Sequence, residues 1–190
     1  MTATVPVAGL DTFGSQATFR ALLTSLSRPG SVVDLPVPGL GAAVVPLALA
    51  DVETTVAVVG DPEVAEIVVR ATGAAASPVE DAELVACCGR TAPTTMARLS
   101  RGSALAPELG TKVGIDCDRL VAGGPGQVRL TVSGPGVEGT RRLGVDGLEA
   151  GVLEAVAAAN ADPPVGIDVW LVDRHGHIVG LPRSCRLEVA

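Results

Sequence analysis

Two kinds of apolar pattern alternate along the first half of this chain, and that alternation limits the folds open to it. Over residues 12–28, Phe19, Leu22, Leu23 and Leu26 fall at i, i+3, i+4 and i+7, the spacing of one helix face. Val64, Ile67, Val68 and Ala71 repeat it over residues 61–72. Short apolar runs at residues 31–35, 54–59 and 83–88 separate these segments and predict strands, the last two buried. Helices interleaved with buried strands predict an α/β domain in three layers around a mixed sheet.

Local chemistry marks where the elements begin and end. Asp11 or Thr12 is placed to cap the first helix, and Pro29-Gly30 stops it. Asp61-Pro62-Glu63 combines a cap, a proline at the first helical position and a first-turn acid, and Gly73 ends that helix. Residues 42–50 predict a further helix that tolerates Pro46 only near its first turn. Residues 94–101 predict a short helix, and 148–159 an Ala-rich one. Strands are expected at 111–116, 127–133, 140–145, 167–172 and 178–181, the second and third as a hairpin about Gly134-Pro135-Gly136. Residues 183–189 are expected to extend the sheet. We read residues 1–190 as one domain.

Composition excludes several functions. Phe13, Phe19 and Trp170 are the whole aromatic set, too few for stacking platforms that grip single-stranded nucleic acid. The net charge is −7, which disfavours duplex binding because neutralisation of phosphates supplies most of that affinity. An anionic ligand therefore requires a local arginine cluster. No apolar stretch approaches the ~20 residues of a membrane span, and residues 1–10 lack the charge and apolar core of a targeting signal. We expect a cytoplasmic protein, in which Cys87, Cys88, Cys117 and Cys185 are thiols.

Few residues declare a chemistry. Gly123-Gly124-Pro125-Gly126 and Gly134-Pro135-Gly136 could present N–H groups to a phosphate, but neither opens a helix, so hairpin turns account for them. His175 and His177 have a spacing that suits two metal ligands, without a clear third, so no metal is expected. Cys87-Cys88 is not a C-x-x-C pair. Lys112, the single lysine, is the only residue able to form a Schiff base with pyridoxal phosphate. No pyridine-binding aspartate or stacking aromatic accompanies it, and it reads as a surface lysine.

Several segments, in order, resemble the H-subunit family of the bacterial carbon–phosphorus lyase system. They are Phe13-Gly-Ser-Gln16-Ala-Thr18-Phe19-Arg20-Ala-Leu-Leu23 with Ser27-Arg28-Pro29-Gly30, then Leu49-Ala50-Asp51-Val52-Glu53-Thr54, then Gly102 leading to Pro107-Glu108-Leu109-Gly110-Thr111. Leu130-Thr131-Val132-Ser133-Gly134-Pro135-Gly136-Val137 follows, with Asn160-Ala-Asp-Pro-Pro164-Val165-Gly166-Ile167-Asp168 and Gly180-Leu181-Pro182-Arg183-Ser184-Cys185-Arg186. Ser103, Lys112 after a shifted Gly-Thr pair, Pro163 and Ser184-Cys185 depart from the family pattern.

The resemblance implies a fold similar to pyridoxal-phosphate-dependent transferases but free of the cofactor, and a homodimer when isolated. It implies work in a core complex with subunits G, I and J, which transfers an alkylphosphonate to the ribose C1 of ATP with loss of adenine. The implied role for this subunit is accessory. Within the matched segments, Gln16, Arg20, Arg28 and Arg183 are candidates for an anion or partner site, guanidinium being suited to tetrahedral oxyanions. Glu108 and Asp168 are candidate acids there. Each also has a structural role open to it: Arg20 paired with an acid on its helix, Arg183 capping a strand, and the two acids capping or pairing with arginine. The alternative function is a free-standing phosphate- or nucleotide-binding enzyme, which requires arginines and glycine loops to converge in one pocket.

Overall fold

A computed structural model describes residues 10–190. Apart from Leu10, the segment read above as lacking a targeting signal lies outside the described residues. The first helix, α1 (Thr12–Ser27), is capped by the Asp11 carboxylate, which accepts the Gly14 N–H at 2.6 Å. Strand β1 (Val33–Asp34) and a 3-10 turn (Gly41–Ala43) lead into α2 (Val44–Leu49). Then come β2 (Thr55–Val59), α3 (Pro62–Thr72), β3 (Ala75–Ala76), β4 (Leu84–Cys87) and α4 (Pro93–Arg98). In α3 the predicted ends hold: the Asp61 carboxylate accepts the N–H groups of Glu63 and Val64, and Gly73 closes the helix at φ 73°. The second half holds β5 (Lys112–Cys117), β6 (Arg119–Ala122), β7 (Val128–Ser133), β8 (Thr140–Asp146), α5 (Val152–Ala159), β9 (Asp168–Asp173), β10 (His177–Leu181) and β11 (Arg186–Val189).

The strands form two sheets where the sequence suggested one. The larger is mixed, with order β1-β10-β9-β5-β4-β2-β3, parallel from β9 to β3 and antiparallel at β10 and β1. The smaller is antiparallel, with order β11-β7-β8-β6. Thus 183–189 does not extend the main sheet; its strand pairs with β7. Burial explains the division. Strand β4 is buried at every position, as a central parallel strand covered on both faces must be. Strand β7 alternates, with Leu130 and Val132 inward and Arg129 and Thr131 outward, the mark of a sheet with one wet face.

Two cores lie on opposite faces of the large sheet. Trp170, Val172 and Ile178 point into a core closed by α1, α2 and α3. Val169, Leu171 and Val179 point into the other, closed by the small sheet together with α4 and α5. Three layers result, but one outer layer is half β.

The seating of α1 departs from its sequence pattern. Its buried residues are Thr18, Ala21, Leu22 and Ser25, whereas Phe19 and Leu23 are 47% and 57% exposed. The cause is a close approach: a Cβ on Gly180 of β10 would stand 2.6 Å from the Leu26 amide nitrogen. Trp170 Nε1 then donates to the Leu22 carbonyl at 3.2 Å and to Ser25 Oγ at 3.1 Å. The helix lies on the strand by its small-residue face, and half of the apolar stripe turns outward. Residues 148–151, read as the first turn of α5, form a turn instead, with Gly151 at φ 90°.

The loop Gly123-Gly124-Pro125-Gly126 is not a hairpin turn. Strands β6 and β7 flank β8 and run parallel, so the loop crosses over β8. Gly144 lies beneath it, where a Cβ would stand 2.5 Å from the Pro125 carbonyl oxygen. Gly134-Pro135-Gly136 does turn a hairpin, joining β7 to β8 at the Ser133–Thr140 pair.

Candidate functional site

The outward face of α1 carries Phe13, Gln16, Phe19, Arg20 and Leu23, and all are exposed. Positions 13, 16, 20 and 23 form a single stripe at helical spacing. Arg20 and Arg28 form no ion pair among the described residues. The acid expected to pair with Arg20 on its own helix does not exist, since α1 contains none.

Beside that stripe an apolar groove of about 340 Å³ runs between α1 and the sheet, floored by Leu22, Leu84 and Trp170 and walled by Phe19, Leu23 and Leu49. Lys112, Glu83 and Asp168 line its polar end. The Lys112 ammonium donates to the Glu108 carbonyl at 3.1 Å, while the Glu108 side chain stands exposed. Leu105 and Leu109 of the same segment are 98% and 60% exposed.

Arg183 and Asp168 form one unit next to this groove. The Arg183 backbone N–H donates to Asp168 Oδ1 at 2.9 Å, and its guanidinium reaches both carboxylate oxygens, at 2.6 Å for the shortest contact. The guanidinium also donates to the Pro107 carbonyl. These contacts tie the loop before β5, the start of β9 and the turn before β11 together. A bidentate pair at 16% and 18% side-chain exposure neutralises the arginine and fixes its geometry. Asn160 does similar work nearby, its side chain donating to the Ile167 carbonyl at 3.1 Å and accepting the Ile167 N–H at 2.7 Å. The family-like segments that contain Asn160, Asp168 and Arg183 thus fasten loops.

A second cleft lies where ligands commonly bind parallel sheets, at the carboxyl ends of β4, β5 and β9. Asp116, Asp118, Asp173, Arg90 and Arg174 line it. Asp116 accepts the Ala42 N–H at 2.6 Å and the Gly89 N–H at 2.8 Å. Burial nevertheless raises its carboxyl above the ordinary range. Burial works against the Asp173 carboxylate too, yet bonds from the His177 backbone and ring, the Leu120 N–H and the His175 N–H outweigh it and hold that carboxyl low. Arg174 pairs with Asp118 at 2.8 Å. Arg90 and Asp116 of this cleft form no ion pair among the described residues.

His177 bonds Asp173 through Nδ1 at 2.9 Å, so the H-x-H pair is part of this turn. No group of three or more metal-ligating side chains occurs among the described residues. All four cysteines are unpaired, and burial pushes the Cys87 and Cys88 thiols up to about 12. No helix is long and apolar enough to cross a membrane among the described residues.

A third cleft, of about 580 Å³, opens on the outer face of the small sheet between the crossing loop and the side chains of Arg129, Thr131 and Arg142. From sequence the loop is weighed as a phosphate loop and read as a turn, but neither Arg129 nor Arg142 is singled out as a site residue. Part of the signal existed: the alternation of β7 puts Arg129 outward, while the observed hairpin register brings Arg142 opposite Thr131.

These features define a two-sheet α/β protein that offers an apolar helix face and groove, and whose arginine in the matched segments nearest the groove is tied into its own framework. Comparison with known proteins specifies it further. The chain belongs to the bacterial phosphonate metabolism protein (PhnH) family, whose model matches residues 10–188. It is 31% identical over 176 residues to the putative C-P lyase subunit protein HtxG of Stutzerimonas stutzeri, covering 92% of this chain and 86% of that protein.

Proposed function

We propose that this protein is a cytoplasmic accessory subunit of a carbon–phosphorus lyase core complex. It supports transfer of an alkylphosphonate to the ribose C1 of ATP with loss of adenine, and it docks on partner subunits G, I and J. The observation that carries the docking reading is the outward face of α1, where Phe13, Phe19 and Leu23 are 83%, 47% and 57% exposed at or beside an apolar groove. Contiguous exposed apolar surface of this kind marks interaction sites, and aromatic anchors carry most interface energy. Gln16 and Arg20 lie within the stripe and supply polar contacts at its edge. The same face serves the homodimer when the protein is isolated.

The fold is similar to that of pyridoxal-phosphate-dependent transferases, without the cofactor. The Lys112 ammonium is engaged by the Glu108 carbonyl, although Trp170, Asp168 and Glu83, neighbours that the sequence did not reveal, line the same groove. Added pyridoxal phosphate should then give no imine absorbance that disappears in Lys112→Ala.

Titration of the purified chain into its cognate G, I and J subunits, followed by calorimetry, tests the docking reading. Saturable, stoichiometric binding is expected. Absence of binding refutes it.

A further inference from the structure

We infer that the outer face of the small sheet is a binding site for a tetrahedral oxyanion of the phosphoryl or phosphonyl class, held by Arg129 and Arg142. Arg129 lies opposite Gly144 and Arg142 opposite Thr131. The two arginines are therefore diagonal neighbours on one face, with Cβ atoms roughly 7–8 Å apart or closer. Over Gly144 lies the crossing loop, whose Pro125 carbonyl oxygen would stand 2.5 Å from a Cβ there. Side chains as long as arginine reach one another across such a diagonal. Neither guanidinium forms an ion pair among the described residues.

The acids on the face offset its arginines only in part. By register, Arg119, Arg129, Arg142 and Arg186 point outward against Asp146 and Glu188. Asp146 faces Arg119 and accepts the Gln127 N–H at 2.7 Å. Glu188 faces Thr131 from β11 and is itself a diagonal neighbour of Arg129, whose backbone pairs with Ala190. A local excess of guanidinium thus sits on a chain whose net charge is −7.

Shape adds to charge. The crossing loop Gly123-Gly124-Pro125-Gly126 walls a cleft of about 580 Å³ whose floor includes Arg129, Thr131 and Arg142. That volume is within the range of small-molecule sites. Two planar forks and one hydroxyl suit a tetrahedral dianion, to which arginine donates in pairs. The cleft has no aromatic in its lining, so the selected feature is the oxyanion rather than a base. Arginine and a glycine loop converge here, away from the matched-segment arginines. The inference is independent of docking through α1, since the two surfaces lie on different layers.

Calorimetric titration of the full chain at low salt with inorganic phosphate, tripolyphosphate and methylphosphonate tests this. At least one should bind saturably at millimolar concentration or below. Binding should weaken at least about tenfold in Arg129→Gln/Arg142→Gln, as expected on losing charge-assisted bonds. It should be unchanged in Arg70→Gln, a substitution of an exposed arginine on α3. Thermal melts confirm that the variants fold, and Arg129→Lys/Arg142→Lys, which keeps the charge, should retain part of the affinity. Tighter binding of methylphosphonate than phosphate identifies a phosphonyl source, and the reverse a phosphoryl one; either supports the site. No binding of any of the three, or equal binding by the glutamine double variant, overturns it.

Discussion

Replacing Gly180 by alanine should unseat α1. The new Cβ would stand 2.6 Å from the Leu26 nitrogen and 2.7 Å from the Ser25 carbonyl oxygen. Both are backbone atoms, so no side chain can swing aside, and the helix must lift by about 1 Å to reach ordinary contact. Overpacking of this kind costs about 1–3 kcal/mol. Lifting also strains the Trp170 bonds to Leu22 and Ser25, each contributing about 1 kcal/mol. Alanine returns about 0.5–1 kcal/mol through its smaller entropy loss in a strand. The net destabilisation is about 3 kcal/mol, which lowers Tm by roughly 6–12 °C for a chain of this size. Urea unfolding gives the free energy, and Trp170, the only tryptophan, reports the local change by fluorescence. Wild-type stability with unchanged emission would refute the seating, and with it the explanation for the exposed apolar stripe.

Other residues give independent checks. Asp168→Ala leaves Arg183 half-buried without its partner and should cost about 2–4 kcal/mol in denaturant unfolding; a cost under about 0.5 kcal/mol would make the pair incidental. Cys87 and Cys88, with thiols raised to about 12, should resist a thiol reagent at neutral pH until the protein is unfolded, since the thiolate is the reactive form. The Asp173 carboxyl is held low in the folded state, so its stabilisation is full above the ordinary aspartate value of about 3.9 and is lost as pH falls through the folded value. Asp173→Asn should therefore flatten acid destabilisation below about pH 4, measured as Tm against pH; an unchanged slope would assign the acid sensitivity elsewhere. Gly144→Ala should push the crossing loop off β8 and destabilise by about 1–3 kcal/mol, read from thermal melts.

Much of the fold was legible because local chemistry decides local ends. Asp61-Pro62-Glu63 and Gly73 bound α3 as their backbone preferences require, and the β7 alternation placed its inward residues correctly. What escaped depends on partners distant in sequence. The period over α1 marks an apolar stripe, but which side of it meets the sheet is settled by Gly180 and Trp170, more than 140 residues away. Strand β6 escaped because its four residues follow β5 after Asp118 alone, a spacing that reads as one strand's end. The second sheet depends on β11 pairing with β7, a register no local pattern prints. At the candidate sites, the matched segments directed attention to Arg183, whose charge Asp168 neutralises. They passed over Arg129 and Arg142, whose meaning lies only in the cross-strand register.

Co-expression of the chain with its G, I and J subunits, beside the variant Phe19→Ser/Leu23→Ser, tests the docking role most directly. The substitutions alter exposed side chains of α1 and should leave the isolated fold intact. The wild-type chain should co-purify stoichiometrically by size and mass, and the folded variant should be lost from the assembly. Assembly of the other three subunits without the wild-type chain, or undiminished incorporation of the variant, would contradict the account.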